Sequence, residues 1–299
     1  MIKNKYVFVG EENSINNELI FKSFSKVKNK VKYILIGNYD QLQKDSLKFK
    51  IRINKINDPF DFNKLEKESL NVFHFYNKNE SKNKNLLNQI HLSNDLANIT
   101  RNDLITMPIN KSNLKKDIIF NGMTEYLGKI NNCNTLMLMV GDNFSIIPIT
   151  THINIKYITT NLEKKLNDFI YNFNSIKKQN DKLNKYKSFN FLCINPHCSE
   201  NGTIGPEDII LKKIVSKLDK TRVKFHSADS AFLNIKKNSL FFSLYHDQAL
   251  IPFKILNKDS FNLTLGLRYR RISPSHGTAN DIINKNIANN NSYLKCMLI

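Results

Sequence analysis

Residues 189–225, FNFLCINPHCSENGTIGPEDIILKKIVSKLDKTRVKF, decide the fold. Phe189–Ile194 is a strand-length apolar run. Pro206–Leu218 carries apolar residues at helical spacing, opened by a proline with Glu207 and Asp208 beside it, a composition suited to a helix N-terminus. Arg222–Phe225 returns to a strand pattern. Strand, helix and strand in alternation argue a layered α/β architecture. The alternation extends outward: Lys5–Val9 reads as a strand, Ile15–Val27 as a helix, Val31–Ile36 as a strand with a polar helix-like segment behind it, and Asn71–Tyr76 as a third strand. Asn77–Lys84 reads as a loop. Thr135–Val140 and Phe144–Thr150 read as strands joined at Gly141-Asp142-Asn143, Asn161–Lys182 as a long helix, Leu240–Tyr245 as another strand and Asn289–Ser292 as a turn. There is no internal repeat.

The chain has 299 residues, enough for two domains or lobes, and 20 Phe with 11 Tyr exclude wholesale disorder. No apolar run approaches the roughly 20 residues of a membrane span, and no apolar leader precedes the first strand, so a cytoplasmic protein that contacts no membrane is the expectation. The formal charge is +19, yet 39 of the 45 basic residues are Lys, scattered among Asn along the whole chain. Without a basic block or an aromatic-basic motif, a solvated Lys-rich surface is favoured over nucleic-acid binding. Cys133, Cys193, Cys198 and Cys296 form no C-x-x-C pair and are expected to be free buried thiols.

Chemistry concentrates where residue types are scarce. Of seven His, three follow strands with short polar neighbours: Thr150-Thr151-His152, Asn195-Pro196-His197 and Tyr245-His246-Asp247-Gln248. Strand C-termini are where open α/β sheets bind ligands. Three imidazoles from separate elements match an open catalytic metal site, with Asp247 available to orient a ligand. One such His alone would merely finish a strand; the triple moves the metal reading ahead. Three of the six Arg fall within Arg268–Arg271, and an Arg fork suits phosphate or carboxylate; for Arg268 and Arg270 a basic surface turn is the expected role. G-x-G-x-x-G, G-x-x-x-x-G-K-[ST] and G-x-S-x-G are all absent.

Longer stretches carry a resemblance. Asn195–Glu207 is similar to the NPHAGE-NG-x-x-G-x-E motif of 4-hydroxythreonine-4-phosphate dehydrogenases, and Tyr245–Lys254 to their YHDQGL-IP-x-K. Asn262–Leu267 with Arg271–Ala279 resembles their VN-x-TLGLP-x-x-R-TSP-DHGTA, Thr106–Lys111 their T-x-PINK and Thr150–His152 their TTH. The order and spacing hold from about residue 100 onward.

The resemblance implies two α/β/α lobes around a cleft, as in isocitrate and isopropylmalate dehydrogenases, with residues 1–116 plus 272–299 forming the first lobe and 117–271 the second. It implies a homodimer with shared active sites. It implies that His152, His197 and His246 bind one divalent metal (Zn, Mg or Co) and that Thr124, Lys254, Asn262 and Arg271 contact substrate. The implied reaction is NAD- or NADP-dependent oxidation of 4-phosphohydroxy-L-threonine to 2-amino-3-oxo-4-phosphooxybutanoate. That product decarboxylates to 3-amino-2-oxopropyl phosphate on the route to pyridoxine 5'-phosphate. Asp247 is the candidate catalytic proton acceptor, unless it only positions Lys254. No residue is assigned to the dinucleotide.

Departures from the pattern matter. The family's G-H-T-E reads Gly122-Met123-Thr124-Glu125, and a thioether cannot donate the hydrogen bond a His supplies. GDPAGIGPE reads Gly10–Glu18 with Pro and Gly lost, and Ser199 and Ala249 replace two further glycines. Met123 motivates an alternative substrate, a four-carbon sugar-acid phosphate. A drifted, non-catalytic ligand-binding relative is the other alternative, and retention of the three His with Lys254, Asn262 and Arg271 argues against it.

Overall fold

In the computed structural model, which describes residues 4–114, 120–219 and 221–299, the central strands are buried on both faces, as their largely apolar sequences favour. The chain divides into two compact units: Met1–Leu127 with Phe261–Leu263 and Leu267–Ile299, and Gly128–Ser260 with Thr264–Gly266. The lobe boundary expected between residues 116 and 117 lies outside the described residues.

Unit one begins with β1 (Lys5–Phe8), α1 (Asn16–Val27), β2 (Tyr33–Gly37), α2 (Tyr39–Phe49), β3 (Arg52–Ile56), β4 (Ser69–His74), α3 (Lys82–Thr100), β5 (Asp103–Thr106), α4 (Lys111–Leu114) and α5 (Met123–Ile130), which runs past the division. Unit two holds β6 (Leu136–Val140), β7 (Ser145–Pro148), α6 (Leu162–Lys178), β8 (Ser188–Leu192), α7 (Glu207–Val215), β9 (Val223–His226), β10 (Ser239–Ser243) and α8 (His246–Leu256). β11 (Phe261–Leu265) contributes to both; β12 (Arg271–Pro274) and α9 (Asn291–Leu298) return to unit one.

The strands of unit one pair in parallel in the order β3-β4-β2-β1-β5-β12. Helix starts follow local chemistry: the Asn38 side chain accepts from Gln41 N at α2, and Ser81 from Lys84 N at α3. In unit two the order is β6-β7-β10-β8-β9, with only β6 antiparallel. Its core uses the abundant phenylalanines. Phe242 stacks on Phe191 at 4.4 Å and meets Phe169, Phe173 and Phe189 edge-on. No helix among the described residues is long and apolar enough to cross a membrane.

The structure corrects several readings. Arg52–Ile56 is a strand, hidden in the sequence because it lies at a sheet edge where charge interrupts the apolar pattern. Asn77–Lys84 is a loop only as far as Ser81, and the helix expected over Asn161–Lys182 ends at Lys178. Asn289–Ser292 is no simple turn: Asn289 Oδ1 accepts from Asn291 N and α9 starts there. Cys193 and Cys198 are not free thiols but a disulfide; the chain folds back after β8 and brings their Cα atoms to 5.1 Å. Cys133 and Cys296 are not disulfide-bonded. Arg270 is no surface turn residue. It holds Asp103 by two bonds, beside the buried Lys5–Asp103 pair at 2.8 Å. Arg268 is exposed as expected.

Candidate functional site

The parallel strands β7, β10 and β8 are neighbours, so their C-terminal ends share one edge of the unit-two sheet. Each end delivers one of the expected histidines: His152 after β7, His246 after β10 and His197 after β8. Hydrogen bonds tie these ends together. Ile149 N and Thr150 N donate to Ser243 O and Leu244 O at 2.7 and 3.3 Å, and the Thr150 hydroxyl also donates to Leu244 O. On the other side, Gln248 Nε2 donates to Cys193 O at 3.0 Å, while Gln248 Oε1 accepts from Ser243 Oγ. Gln248 was quoted in the sequence motif but given no role; a side chain bridging two strand ends is invisible without the fold.

The His152 and His246 rings lie 5.7 Å apart, centroid to centroid. His246 Nδ1 sits 2.7 Å from Asp247 Oδ1, and the Tyr245 hydroxyl donates to the same carboxylate at 3.2 Å. The His246 bond, more than the contributions of Tyr245 and the Lys254 charge, keeps the Asp247 carboxyl below the usual carboxylate range. An ionised Asp247 accepts only, so His246 donates from Nδ1. Lys254 is an exposed residue of α8, close enough for its charge to act on Asp247.

The third histidine is held differently. Asp208, fully buried in the first turn of α7, accepts from Ile194 N at 2.6 Å, Asn195 N at 3.0 Å and Ser199 Oγ at 2.7 Å. Asn195 Nδ2 donates to Ser199 Oγ and to Glu207 Oε2. Between these anchors His197 is exposed, with φ 50° and ψ 31°. The acids of this turn were legible as helix openers; that Asp208 turns back to clamp the histidine loop was not.

His152 and His246 have the spacing and donor chemistry of two ligands to one ion. His197 does not join them: among the described residues no three His, Cys, Asp or Glu side chains are grouped to hold a metal. The three-histidine set therefore does not fit a metal as it stands.

Unit one carries a second group. Arg271 opens β12 and is buried; its Nε and Nη2 donate to Thr106 Oγ1 at 2.8 and 2.5 Å, and its Nη1 to Thr124 Oγ1 at 3.5 Å. Burial pulls its pKa down to about 10, which leaves it charged at neutral pH. Thr106 is a residue the sequence reading quoted in T-x-PINK without a function. Met123 and Thr124, adjacent on α5, are both buried. Asn262 Oδ1 is buried without a hydrogen-bond partner among the described residues, an acceptor suited to a ligand. The Thr106–Lys111 stretch is fastened to the turn after β1. Asn16 Nδ2 donates to Val9 O and Pro108 O at 3.0 and 2.8 Å, and Gly10, at φ +79°, packs where a Cβ would stand 2.6 Å from Pro108 O.

The chain is 31% identical to the 4-hydroxythreonine-4-phosphate dehydrogenase of Aquifex aeolicus, covering 99% of this chain and 97% of that protein. It is 40% identical over 195 residues to the protein of that name from Hydrogenobaculum, covering 62% and 61%. The crystal structure of the Klebsiella pneumoniae protein of that name superposes with a TM-score of 0.79 at 22% identity, covering 99% and 97%, which shows a common fold. A family match spans residues 29–299, and this chain belongs to the family described as pyridoxal phosphate biosynthetic protein PdxA.

Proposed function

We propose that this chain oxidises 4-phosphohydroxy-L-threonine with NAD or NADP to 2-amino-3-oxo-4-phosphooxybutanoate, whose decarboxylation gives 3-amino-2-oxopropyl phosphate for pyridoxine 5'-phosphate synthesis. Family membership supports the dehydrogenase chemistry. The observation that carries the reading is the shared strand edge bearing His152, His246 and His197, with Asp247 orienting His246. In this reading the three histidines are the ligands of a divalent cation (Zn, Mg or Co). His197 must move to join the other two. Arg271, held by Thr106 and Thr124, and Lys254 take the anionic groups of the substrate, while Asn262 accepts a hydrogen bond from it. Asp247 is exposed and ionised, so it can receive the proton released as the hydroxyl becomes a ketone. The working form is a homodimer with shared sites.

Met123 favours a second reading. Buried and apolar where relatives place an imidazole, it suits a substrate lacking one polar contact, such as a four-carbon sugar-acid phosphate. Reduction of NAD and NADP, followed by absorbance with each substrate and each of the three metals, tests both. Turnover of 4-phosphohydroxy-L-threonine above the sugar-acid phosphate supports the first; the reverse supports the second; no reduction with either refutes both.

A further inference from the structure

The two ends of β5 hold the consecutive arginines Arg270 and Arg271, and they do so differently. At Asp103, the first residue, a carboxylate takes Arg270 Nε and Nη2 and offsets the charge. At Thr106, the last, one neutral hydroxyl takes the same two nitrogens of Arg271, at 2.8 and 2.5 Å. A hydroxyl oxygen has two lone pairs and one proton. Both lone pairs of Thr106 Oγ1 are therefore occupied, and its O–H points away from the guanidinium. Thr106 is 2% exposed, and among the described residues no group accepts that proton. Buried side-chain donors are nearly always partnered, and the adjacent cation polarises this O–H into a stronger donor. The position also suits a ligand. β1 lies between β2 and β5; the chain leaves β1 toward β2 and returns on its other side as β5. Open α/β sheets bind ligands outside the carboxyl ends of the strands flanking such a reversal.

We propose that Thr106 is a substrate-contacting residue: its oxygen fixes the Arg271 guanidinium without cancelling its charge, and its proton goes to an anionic oxygen of the substrate, phosphate or carboxylate. The inference rests on the reading of Arg271 as a substrate contact. Both residues belong to unit one. A carboxylate in place of the hydroxyl, as at Asp103, would hold the arginine as firmly but neutralise it and offer the substrate no proton. A valine would fill the same volume and leave two buried N–H groups and the substrate's anion without a partner. A serine would keep both the oxygen and the proton. The three substitutions thereby separate holding Arg271 from binding the anion.

Titration calorimetry with 4-phosphohydroxy-L-threonine tests this on wild type, Thr106→Ser, Thr106→Val, Thr106→Asp, Arg271→Ala and the combined Thr106→Val/Arg271→Ala, each with its melting temperature recorded. Thr106→Ser is expected within about threefold of wild type, since oxygen and proton both remain. Thr106→Val and Thr106→Asp are expected to bind about ten- to a hundredfold more weakly, the scale of one hydrogen bond to a charged group. Adding Thr106→Val to Arg271→Ala should weaken binding by about a further threefold or more, because the hydroxyl has a contact of its own. Inorganic phosphate and unphosphorylated 4-hydroxy-L-threonine, titrated in the same way, locate the partner: the loss seen with phosphate assigns the phosphoryl oxygen, and the loss seen with the amino acid assigns the carboxylate. Should Thr106→Val fail to fold, Thr106→Asp against Thr106→Ser decides. Thr106→Asp binding like wild type, or no further loss in the combined variant, makes Thr106 a support for Arg271 alone and overturns the proposal while the reading of Arg271 stands. Arg271→Ala binding like wild type, or wild type failing to bind, overturns that reading and the proposal with it.

Discussion

Replacing Asp103 with Asn exposes how unit one tolerates buried charge. Asp103 accepts from Lys5 Nζ at 2.8 Å and from Arg270 Nε at 3.0 Å and Nη2, and the side chains of Lys5 and Asp103 have no exposed surface. The substitution leaves two cations facing a neutral amide. Removing one partner of a buried ion pair costs about 3–5 kcal/mol. Lys5 has an escape: it can give up its proton. From its ordinary 10.5, neutralisation at pH 7 costs about 1.4 kcal/mol for each of 3.5 units, so the total loss is capped near 5 kcal/mol. A denaturation midpoint lowered by roughly 6–20 °C follows, using about 2–4 °C per kcal/mol. Lys5→Met is the control. It deletes the desolvated amine and leaves Asp103 paired with Arg270, so it should change stability by about 1 kcal/mol or less. The pH dependence has a definite sign. Burial lowers the Lys5 pKa despite Asp103, so between its folded value and 10.5 the unfolded chain binds more protons, and stability rises with pH across that window. In Asp103→Asn the window widens downward and the total rise grows. Calorimetry or urea titration from pH 7 to 10 measures all three proteins. Asp103→Asn within 1 kcal/mol of wild type, or Lys5→Met as costly as Asp103→Asn, refutes the reasoning.

The clustered arginines should separate by function. Arg271→Ala is expected to weaken substrate binding by about 1.5–3 kcal/mol in KM or titration calorimetry, whereas Arg270→Ala should lower the melting temperature and leave KM alone, because its fork is spent on Asp103. Met123→His should lower KM for 4-phosphohydroxy-L-threonine about tenfold if that is the substrate, and raise it for a sugar-acid phosphate if that is. Steady-state kinetics on both substrates decides. Phe242→Ala, removing the ring on which four others converge, should cost about 3–5 kcal/mol in urea unfolding.

Legibility in the sequence followed local chemistry. β1, β2 and β10 were readable because a doubly covered parallel strand is mostly apolar. α3 was not, because its buried side includes Asn85, Gln89, Ser93 and Asn94, which blur the helical period. β11 and β12 were quoted as motif text and not read as strands. The histidines, Lys254, Asn262 and Arg271 were visible through motif and resemblance. Their supports were not: Thr106 lies 165 residues from Arg271, and Asp208 clamps a loop 9 to 14 residues behind it. Spacing rules see pairs that share a helix or strand; they do not see a carboxylate folding back across a turn.

The lost glycines show what drift demands of such turns. Ser14 and Asn16 stand where the resembling motif has glycine after β1, and Ser199 where it has glycine after β8. A glycine lets the backbone approach closely without a side chain; its replacement must earn the same geometry through contacts. Each does. Ser14 Oγ donates to Glu11 O and accepts from Asn16 N, Asn16 Nδ2 spans Val9 O and Pro108 O, and Ser199 Oγ donates to Asp208. Short polar side chains are the ones able to satisfy nearby backbone groups in this way. The turns thereby exchange conformational freedom for specific hydrogen bonds. Replacing Ser199 by Gly removes one of the three bonds on a fully buried carboxylate, so the glycine of the motif is here no longer the neutral choice.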